Sequence, residues 1–437
     1  EPKTNSLNLN IRGVDRVKIA IVGAGSTYTP ELVEGFLKEA RALALKQVYL
    51  FDIDSYRLRI VADLVKRMVE AKGSPFTVKA TQDRKKALSN ADFVLTQIRV
   101  GGQRARHADT KICLEEGLLG QETTGAVGFA KALRTIPVIL ELCADLKKYA
   151  AGARLINFTN PAGIVTEAIQ KYGGVEAIGL CNVPVGMKMA LAKDYGVSYR
   201  EIDFDYVGLN HLSWVRKVFI RGEDKTAEIL EKEIEAPANI PKMNINPKFK
   251  RALGMLANSY LDYFYLQDEM TARLKSEEKT RAEIVEEIEK ALLKKYQDPG
   301  LAEKPKELEK RGGAHYSTVA VSAVKYIALN SGKKLIVNVR NNGALPDLGP
   351  DAVVEVTSLL DARGATALTV GRLEPEIRGL IQQVKAYEEL TIEAAVRRNY
   401  NKALLALAAN PLVTSVNKAQ RILDRFNQEH KLGLREL

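Results

Sequence analysis

Short apolar runs alternate with stretches of helical periodicity in the first 180 residues of the chain. The first run, VKIAIV at 17–22, is apolar without interruption, which is typical of a parallel strand buried on both faces. A helix is predicted after it, and a second strand, QVYLFDID at 47–54, ends in acidic residues. Strands and helices that alternate in this way predict an α/β fold with a doubly wound, Rossmann-type parallel sheet.

The pattern changes after about residue 182, where long strands and amphipathic helices replace the regular alternation. Residues 202–220 are predicted to form long strands, and residues 251–270 and 280–296 are predicted to form amphipathic helices. The remaining predicted elements are two late strands and the C-terminal helices, at 334–340, 352–360 and within 385–430. This half of the chain therefore predicts a second, α+β domain, and its amphipathic helices are compatible with a homodimer or a homotetramer.

The composition narrows the possible partners and compartments. The net charge is +11, but basic residues are interleaved with acidic ones and no Lys/Arg block is interleaved with aromatic residues, so nucleic-acid binding is not predicted. A local basic pocket for an anionic small molecule remains compatible with this charge. No apolar run approaches the length of a membrane span, and no signal peptide is recognised. Three scattered cysteines favour a reducing environment, and we expect a cytoplasmic protein.

A glycine-rich turn directly after the first strand points to a nucleotide site. Gly23 and Gly25 allow a tight turn in which backbone N–H groups can approach a pyrophosphate at a helix N-terminus. The third glycine of the dinucleotide fingerprint is missing, because Tyr28 stands there. Asp52 ends the next strand, where a carboxylate can bind the ribose hydroxyls and repel a 2′-phosphate. We therefore predict NAD as the cofactor, with Gly23, Gly25, Ser26 and Asp52 as its contacts.

Two residues after this region are candidate metal ligands. Cys181, in GLCNVPVGMK, is expected where a strand ends and a helix begins, and His211 lies in the strand segment GLNHLSW. A thiolate and an imidazole, together with substrate oxygens, would make a mixed site for a divalent ion. From the sequence alone Cys181 is more often a core residue, since a free cysteine is among the most buried residue types, and His211 could equally be a satisfied core histidine.

Aromatic and basic side chains supply further candidates. The segment at 251–271, interpreted as a helix, carries Tyr260 and Tyr263, either of which could act as a general base if a neighbouring cation lowered its pKa. An aromatic stripe of this kind is more often part of a core. Four arginines are candidate clamps for anions or hydroxyl groups, although each alone is more often a surface ion-pair residue; they are Arg99, Arg281, Arg311 and Arg340.

Taken together, the motifs resemble glycoside hydrolase family 4, the NAD-dependent glycosidases, from about residue 17 to residue 432. The chain looks most similar to the 6-phospho-β-glucosidases of that family, because Asn182 follows the cysteine where α-specific members have Asp. The motifs occur in the order of the family; they are VGAGSTYTPELVEG, QIRVGG, GLLGQETTG, INFTNPAGIVTEA, GLCNVPVG, GLNHLSW, SYLDYF, KRGG and VRNNG.

The resemblance implies a lactate/malate-dehydrogenase-like fold and a redox-assisted elimination. NAD⁺ would take a hydride from C3 of the sugar, a tyrosine would remove the acidified C2 proton, and a metal, usually Mn²⁺, would hold the C2 and C3 oxygens. The aglycone would leave, water would add, and the hydride would return. Such a scheme needs Lewis-acid stabilisation more than a pair of carboxylates.

The resemblance also assigns roles to individual residues. Cys181 and His211 would bind the metal, and Tyr260, with Tyr263 as an alternative, would be the base. Because Asn182 is not an ionisable acid, the proton for the leaving oxygen would come from water or from an unassigned group. The residues that would contact the phosphorylated sugar are Arg99, Asn160, Asn182 and Arg281.

These predictions define an organisation of the chain, an activity and its alternatives. Residues 17–182 would form the NAD-binding domain, and residues 183–437 the substrate, metal and oligomerisation domain; residues 1–16, polar and aperiodic, are interpreted as a leader or an expression remnant. The predicted activity is hydrolysis of phosphorylated β-glucosides such as cellobiose 6′-phosphate. The alternatives are a family 4 enzyme for α-linked or non-phosphorylated substrates, such as an α-galacturonidase, a plain NAD-dependent hydroxy-acid dehydrogenase, and a nucleotide-binding sensor without turnover.

Overall fold

The apolar runs of the first half form the parallel part of a large sheet. The computed structural model describes residues 17–232, 245–312 and 315–436, so the predicted leader at 1–16 lies outside the described residues. The six parallel strands pair in the order β3-β2-β1-β4-β5-β6, which is the strand order of dinucleotide-binding folds. Their bounds are β1 Val17–Val22, β2 Leu45–Phe51, β3 Thr77–Thr81, β4 Phe93–Thr96, β5 Arg154–Asn157 and β6 Ala177–Gly179.

Four strands of the second half form a smaller antiparallel sheet. Its centre is a hairpin whose two long strands are joined by Asn210 and His211 alone, which confirms the strands predicted over 202–220. The strands are β7 Ile202–Leu209, β8 Leu212–Ile220, β9 Glu223–Asp224 and β10 Leu256–Ala257. The turn of this hairpin faces the carboxyl edge of the large sheet and places His211 there.

Three late strands extend the large sheet rather than forming one of their own. β11 pairs antiparallel with β6, and β12 and β13 follow it at the outer edge, so that the sheet has nine strands within the described residues. The strands are β11 Lys333–Arg340, β12 Val353–Asp361 and β13 Gly364–Ala367. The division of the chain at residue 182 stays a prediction, since the two parts share this sheet.

Helices cover both faces of the large sheet and surround the hairpin. The helix predicted after the first strand and the helix predicted over 280–296 are confirmed. The helices are α1 Thr29–Glu39, α2 Ser55–Glu70, α3 Arg84–Leu88, α4 Gly102–Glu115, α5 Gly125–Tyr149, α6 Ala162–Ala168, α7 Val183–Tyr195, α8 Thr226–Leu230, α9 Pro247–Leu253, α10 Asp262–Tyr265, α11 Gln267–Ser276, α12 Arg281–Tyr296, α13 Tyr316–Ala328, α14 Pro375–Arg397, α15 Tyr400–Ala409 and α16 Val416–His430.

The single helix predicted over 251–270 is wrong. α9 ends at Gly254, whose φ of +65° is a left-handed conformation that glycine adopts without strain. The chain then pairs briefly with β8, and the Asn258 side chain accepts a hydrogen bond from the Tyr260 backbone N–H (2.8 Å), which starts a separate turn. Apolar residues recur at a helical spacing across this break, although α9 has no buried residue and the turns after the break are buried. Tyr260 and Tyr263 therefore lie on two short turns instead of one helical face.

A buried ionic cluster joins the large sheet to the C-terminal helices. Lys385, on α14, is 3% exposed and contacts Glu167 of α6 (2.7 Å) and Glu388 (2.5 Å). Glu167 also accepts a hydrogen bond from the Val353 backbone N–H at the start of β12 (2.8 Å) and pairs with Lys171 (2.7 Å). Burial opposes both carboxylates, yet Lys385 and Lys171 hold the pKa of Glu167 below its ordinary value, whereas burial raises that of Glu388. Lys385 is therefore chiefly the partner of Glu167.

Lys385→Met should lower the free energy of unfolding by about 3 kcal/mol or more, because it removes the buried one of the two cations that pair with the buried Glu167 carboxylate. Glu388→Gln should lower the free energy of unfolding much less, because Lys385 still pairs with Glu167. The charge that this substitution removes is also one that burial destabilises. Chemical denaturation of both variants checks this, and equal losses would contradict the pairing.

Candidate active site

The carboxyl ends of the parallel strands gather most of the predicted site residues at one edge of the sheet. The glycine-rich turn follows β1, Asp52 follows β2, Arg99 follows β4, Asn160 follows β5 and Cys181 follows β6. Cys181 thus lies where a strand ends and α7 begins, as predicted. Because strands of one parallel sheet end side by side, residues far apart in sequence face one crevice.

The glycine-rich turn is anchored to the end of β2 by a carboxylate. The Gly25 backbone N–H donates to Asp52 Oδ2 (2.7 Å), and the Asp54 N–H donates to Oδ1 (2.9 Å). Gly23 has a φ of +88°, and a Cβ there would lie 2.9 Å from the Gln97 carbonyl oxygen. Ser26 Oγ accepts a hydrogen bond from the Tyr28 backbone N–H (3.2 Å), directly before the first residue of α1. The turn and Asp52 are therefore one unit whose shape requires the two glycines.

Tyr28, which replaces the third glycine of the fingerprint, has a structural role of its own. Its ring contacts Tyr316 edge to face, with centroids 5.7 Å apart, and the Arg311 guanidinium lies 5.6 Å from its centroid. Arg311 in turn pairs with Glu289 (2.8 Å). The aromatic ring thus links the nucleotide turn to the basic side chains on the other side of the crevice.

The Cys181 thiol sits at the N-terminus of α7, where backbone amides point at the sulfur. It accepts hydrogen bonds from the backbone N–H groups of Asn182 and Val183 and from the Asn210 side chain, and it is 2% exposed. Burial and the nearby Glu355 carboxylate raise the pKa of this thiol, while those three donors lower it. The pKa is raised overall, so the group is a thiol in the absence of a cation, and the three donors would stabilise the sulfur anion once a metal ion displaced the proton.

His211 is held with one ring nitrogen engaged and the other available. Gln121 Oε1 accepts from the backbone N–H groups of Thr123 and Thr124 (2.7 and 2.8 Å), which fixes the amide orientation, and it also accepts from Thr123 Oγ1 (3.1 Å). That hydroxyl must then accept from His211 Nδ1 (2.8 Å), so the proton is on Nδ1 and Nε2 carries a lone pair. Burial lowers the pKa of His211 to about 3, so the ring is neutral.

Cys181 and His211 are brought near each other through Asn210. Asn210, whose side chain bonds the thiol, directly precedes His211 on the turn between β7 and β8. A sulfur anion and a neutral imidazole are suitable ligands for a divalent transition-metal ion. Among the described residues no group of three or more His, Cys, Asp or Glu side chains could hold a metal, so other positions would be left to oxygen ligands from outside the chain. The residues fit the predicted mixed site.

Tyr260, and not Tyr263, contacts the histidine. The rings of Tyr260 and His211 are stacked, with centroids 3.7 Å apart and an angle of 6° between their planes. The Tyr263 ring lies beyond it, 6.0 Å from that of Tyr260. Burial, followed by the nearby Cys181, raises the pKa of Tyr260, so ionising this phenol requires a cation next to it.

Basic side chains converge on the half-buried Glu122 carboxylate beside this group. Glu122 pairs with Arg99, Arg106 (2.9 Å) and Lys131 (2.6 Å), and although burial opposes its charge these cations hold its pKa well below the ordinary value. Burial lowers the pKa of Arg106 to about 10 and that of Lys131 to about 7. Two arginines, and a lysine that is partly charged at neutral pH, share one anion here, so the cluster favours a further anion.

The other predicted clamps divide between two places. Arg281, at the start of α12, donates to the backbone carbonyls of Lys310 and Arg311 (3.2 and 3.1 Å) and interacts electrostatically with Glu122. Asn160 hydrogen-bonds Tyr316, a partly buried tyrosine near Cys181. Arg340, however, lies at the amino edge of the parallel strands, where it donates to the Gln170 carbonyl oxygen (3.4 Å). As a candidate clamp for this site, Arg340 is wrong, because β11 runs antiparallel to β6 and carries it away.

Several residues of the site are not found by reasoning on the sequence. They lie in the loop before α5, on three helices, on the turn between β7 and β8 and on β12; they are Arg106, Glu122, Thr123, Lys131, Asn210, Tyr316 and Glu355. One signal was available: a glutamate within GLLGQETTG is flanked by Gly, Gln and Thr, which is unusual for a solvated acid.

Comparison with known proteins places the chain among sugar-cleaving enzymes. The family model described as Family 4 glycosyl hydrolase matches residues 18–197, and that for the Family 4 glycosyl hydrolase C-terminal domain matches residues 206–413. A probable 6-phospho-beta-glucosidase of Bacillus subtilis is 42% identical over 429 residues, which cover 96% of this chain and 97% of that protein.

Solved structures agree with the fold as predicted. The 6-phospho-beta glucosidase from Thermotoga maritima, solved with manganese, NAD⁺ and glucose-6-phosphate, has a TM-score of 0.89 and 36% identity, covering 96% of this chain and 100% of that one. Malate dehydrogenase from Cryptosporidium parvum, at 15% identity, has a TM-score of 0.55 over 87% of this chain and 99% of that one, which shows the common fold. No helix in the described residues is long and apolar enough to cross a membrane.

Gly25→Ala should weaken NAD⁺ binding roughly tenfold or more, because the added Cβ would lie 2.9 Å from Asp52 Oδ2 and break a hydrogen bond to a charged group. Gly379→Ala is the matched control, since a Cβ on this exposed helical glycine meets nothing within 4 Å. Calorimetric titration with NAD⁺ measures both. Unchanged affinity in Gly25→Ala would contradict the assignment of this turn.

Proposed function

This chain belongs to family 4 of the glycosyl hydrolases, and on that premise we propose that it is a 6-phospho-β-glucosidase that depends on NAD⁺ and a divalent metal ion such as Mn²⁺. One observation carries the proposal. The Cys181 thiol accepts a hydrogen bond from the side chain of Asn210, the residue before His211, and the His211 ring stacks on Tyr260, at the carboxyl edge of a dinucleotide-binding sheet and near a cluster of cations. No other grouping in the described residues combines a ligand pair, a candidate base and an anion site.

The cationic cluster supports a phosphorylated substrate. Arg99 and Arg281 would contact the phosphate group, with Asn160 on the sugar side of the crevice, and the excess of cations around Glu122 would compensate the phosphate charge. A phosphate between arginines gains several charge-assisted hydrogen bonds. The surplus positive charge in a buried place is otherwise costly, which favours an anionic ligand over a neutral sugar.

The chemistry follows from what each residue can do. When bound, NAD⁺ would accept and return a hydride at C3 of the sugar, and the metal ion would supply positive charge at the C2 and C3 oxygens. Tyr260 would remove the C2 proton, since its ring is fixed against His211 and its phenol lies near Cys181. Cys181 and His211 would orient the sugar by fixing the position of the metal ion, and the buried site would exclude water until the aglycone leaves.

Asn182 supports the β-anomer as substrate. It is the residue before α7 and donates its backbone N–H to Cys181, so its side chain starts beside the ligand sulfur. Its amide cannot give up a proton as a carboxylic acid does, so this position offers no acid to a leaving group on the α face. The proton for the leaving oxygen would come from water or from a group without an assigned role.

We also propose that the protein works in the cytoplasm as a homodimer or homotetramer. Support for the compartment comes from Cys113, Cys143 and Cys181, all buried and unpaired, which persist as thiols in a reducing environment.

The activity is tested with four p-nitrophenyl glucosides, α- or β-linked and with or without the 6-phosphate, assayed with NAD⁺, Mn²⁺ and a thiol reductant. We expect cleavage of the phosphorylated β-glucoside, dependence on both added groups, and no net NADH. Cleavage confined to α-linked or to plain glucosides would contradict the substrate assignment. Net NADH in proportion to product would instead indicate a plain dehydrogenase, and NAD⁺ binding without cleavage would indicate a sensor.

Tyr260→Phe should lower kcat roughly 10²–10⁴-fold with little change in KM, as expected for the loss of a general base. Tyr263→Phe is the matched control, because it removes the same hydroxyl from a ring 6.0 Å away. Steady-state kinetics on the phosphorylated β-glucoside separates the two. A larger loss of kcat in Tyr263→Phe would identify Tyr263, rather than Tyr260, as the base.

A further inference from the structure

A fully buried carboxylate on β12 lies behind the proposed site. Glu355 is 0% exposed, and none of the ion pairs among the described residues includes it. Three side chains donate to it instead: Asn210 and Asn338 to Oε1 (3.0 Å each) and the Tyr206 hydroxyl to Oε2 (3.0 Å). A buried carboxylate without a cation is costly for stability, so its presence calls for another explanation.

One branch from Glu355 leads to the sulfur ligand. The Asn210 amide nitrogen donates to Glu355 Oε1, and the same side chain donates to the Cys181 thiol. One N–H of the Asn210 amide bonds the Glu355 carboxylate, so the other N–H is directed to the Cys181 sulfur. Asn210 is also joined through the backbone to His211, so the orientation of this amide sets the relation between the two proposed metal ligands.

A second branch leads to the proposed base. The Tyr206 hydroxyl bonds Ser213 Oγ (2.6 Å), which accepts from the Asn258 amide nitrogen (2.8 Å). Asn258 Oδ1 then accepts from the Tyr260 backbone N–H (2.8 Å). Every side chain on this path is 1% exposed or less. The path therefore lies entirely within the protein and ends on the turn that carries Tyr260.

The carboxylate determines the direction of every hydrogen bond on these branches. Burial raises the pKa of Glu355 to about 7, and the carboxylate is ionised above that pH. An ionised carboxylate only accepts, so Tyr206 then donates to it and itself accepts from Ser213. The Ser213 oxygen can then accept from the Asn258 amide nitrogen, which leaves the Asn258 oxygen for the Tyr260 N–H. A side chain that donated a hydrogen bond to Tyr206 from position 355 would reverse the direction of each hydrogen bond on this path. The Asn258 amide would then turn its oxygen away from the Tyr260 backbone N–H.

We propose that Glu355 is a positioning residue, which orients Cys181 through Asn210 and the Tyr260 turn through Tyr206, Ser213 and Asn258. This role rests on the proposed function, because it concerns the same metal ligands and the same base. Residues that orient metal ligands in this way tune the affinity of a site without touching the ion.

The test uses Glu355→Gln, which keeps the shape of the side chain and replaces one acceptor by a donor. The full-length, metal-free protein is titrated with Co²⁺, and the absorption band of a cobalt–thiolate bond reports on Cys181. We expect Glu355→Gln to weaken Co²⁺ binding roughly 10–100-fold and to alter the band. Glu388→Gln is the matched control, since it makes the same change at another buried glutamate, on α14. It should bind Co²⁺ as the unmodified protein does.

Tyr206→Phe tests the second branch and does not depend on whether Glu355→Gln folds. Removing this hydroxyl cuts the path to Asn258 but leaves Asn210 on the carboxylate. We expect unchanged Co²⁺ affinity and a lowered kcat with KM unchanged, a combination that a general loss of stability does not produce.

The proposal can be overturned in two ways. If Glu355→Gln binds Co²⁺ as Glu388→Gln does, or Tyr206→Phe keeps the full kcat, Glu355 is a structural residue only, while the proposed function stands. If Cys181→Ser gives the same band as the unmodified protein, the sulfur is not a ligand, and the metal assignment of the proposed function falls together with the role of Glu355.

Discussion

The site depends on the close approach of three elements at one glycine. Gly179 ends β6 two residues before Cys181, and a Cβ there would lie 2.2 Å from Thr166 Oγ1 on α6 and 2.9 Å from Asn338 Cβ on β11. Only a residue without a side chain lets the helix and the antiparallel strand pack against this strand end. Through this contact β11 pairs with β6, and β12 comes to lie behind the crevice with Glu355 beneath Cys181. The C-terminal half thereby completes a site that the nucleotide-binding half begins.

The electrostatics of the site follow from burial and an uneven supply of charge. Around Glu122 the chain places more cations than anions, while around Cys181 and His211 it places a neutral imidazole, a thiol and amide donors, with Glu355 as the nearby charge. The first region lacks an anion and the second lacks a cation. A phosphorylated sugar and a divalent metal ion would supply the two missing charges, which is why the proposed substrate and cofactor fit together in one crevice.

The sequence predicts those features that depend on local patterns. The parallel strands are recognisable because a strand buried on both faces is apolar throughout, as VKIAIV is. The break at Gly254 and Asn258 was missed because the apolar period continues across it. Glu355 was missed because it is a single polar residue in AVVEVTSLL, and its partners lie 145 and 149 residues earlier in the chain. Nor does any local signal show that late strands join the first sheet, since strand pairing over such distances depends on tertiary packing. The residue roles carried over from the family resemblance remain predictions.

The central claim is that a buried tyrosine beside a two-ligand metal site removes the C2 proton of the sugar, so that cleavage proceeds by elimination. It is tested most directly by hydrolysing the phosphorylated β-glucoside in D₂O and measuring the deuterium content at C2 of the glucose 6-phosphate by mass spectrometry at low conversion. The account predicts one deuterium at C2 in the first product formed. Product that keeps its original C2 hydrogen would contradict the claim, and would indicate direct displacement at the glycosidic bond.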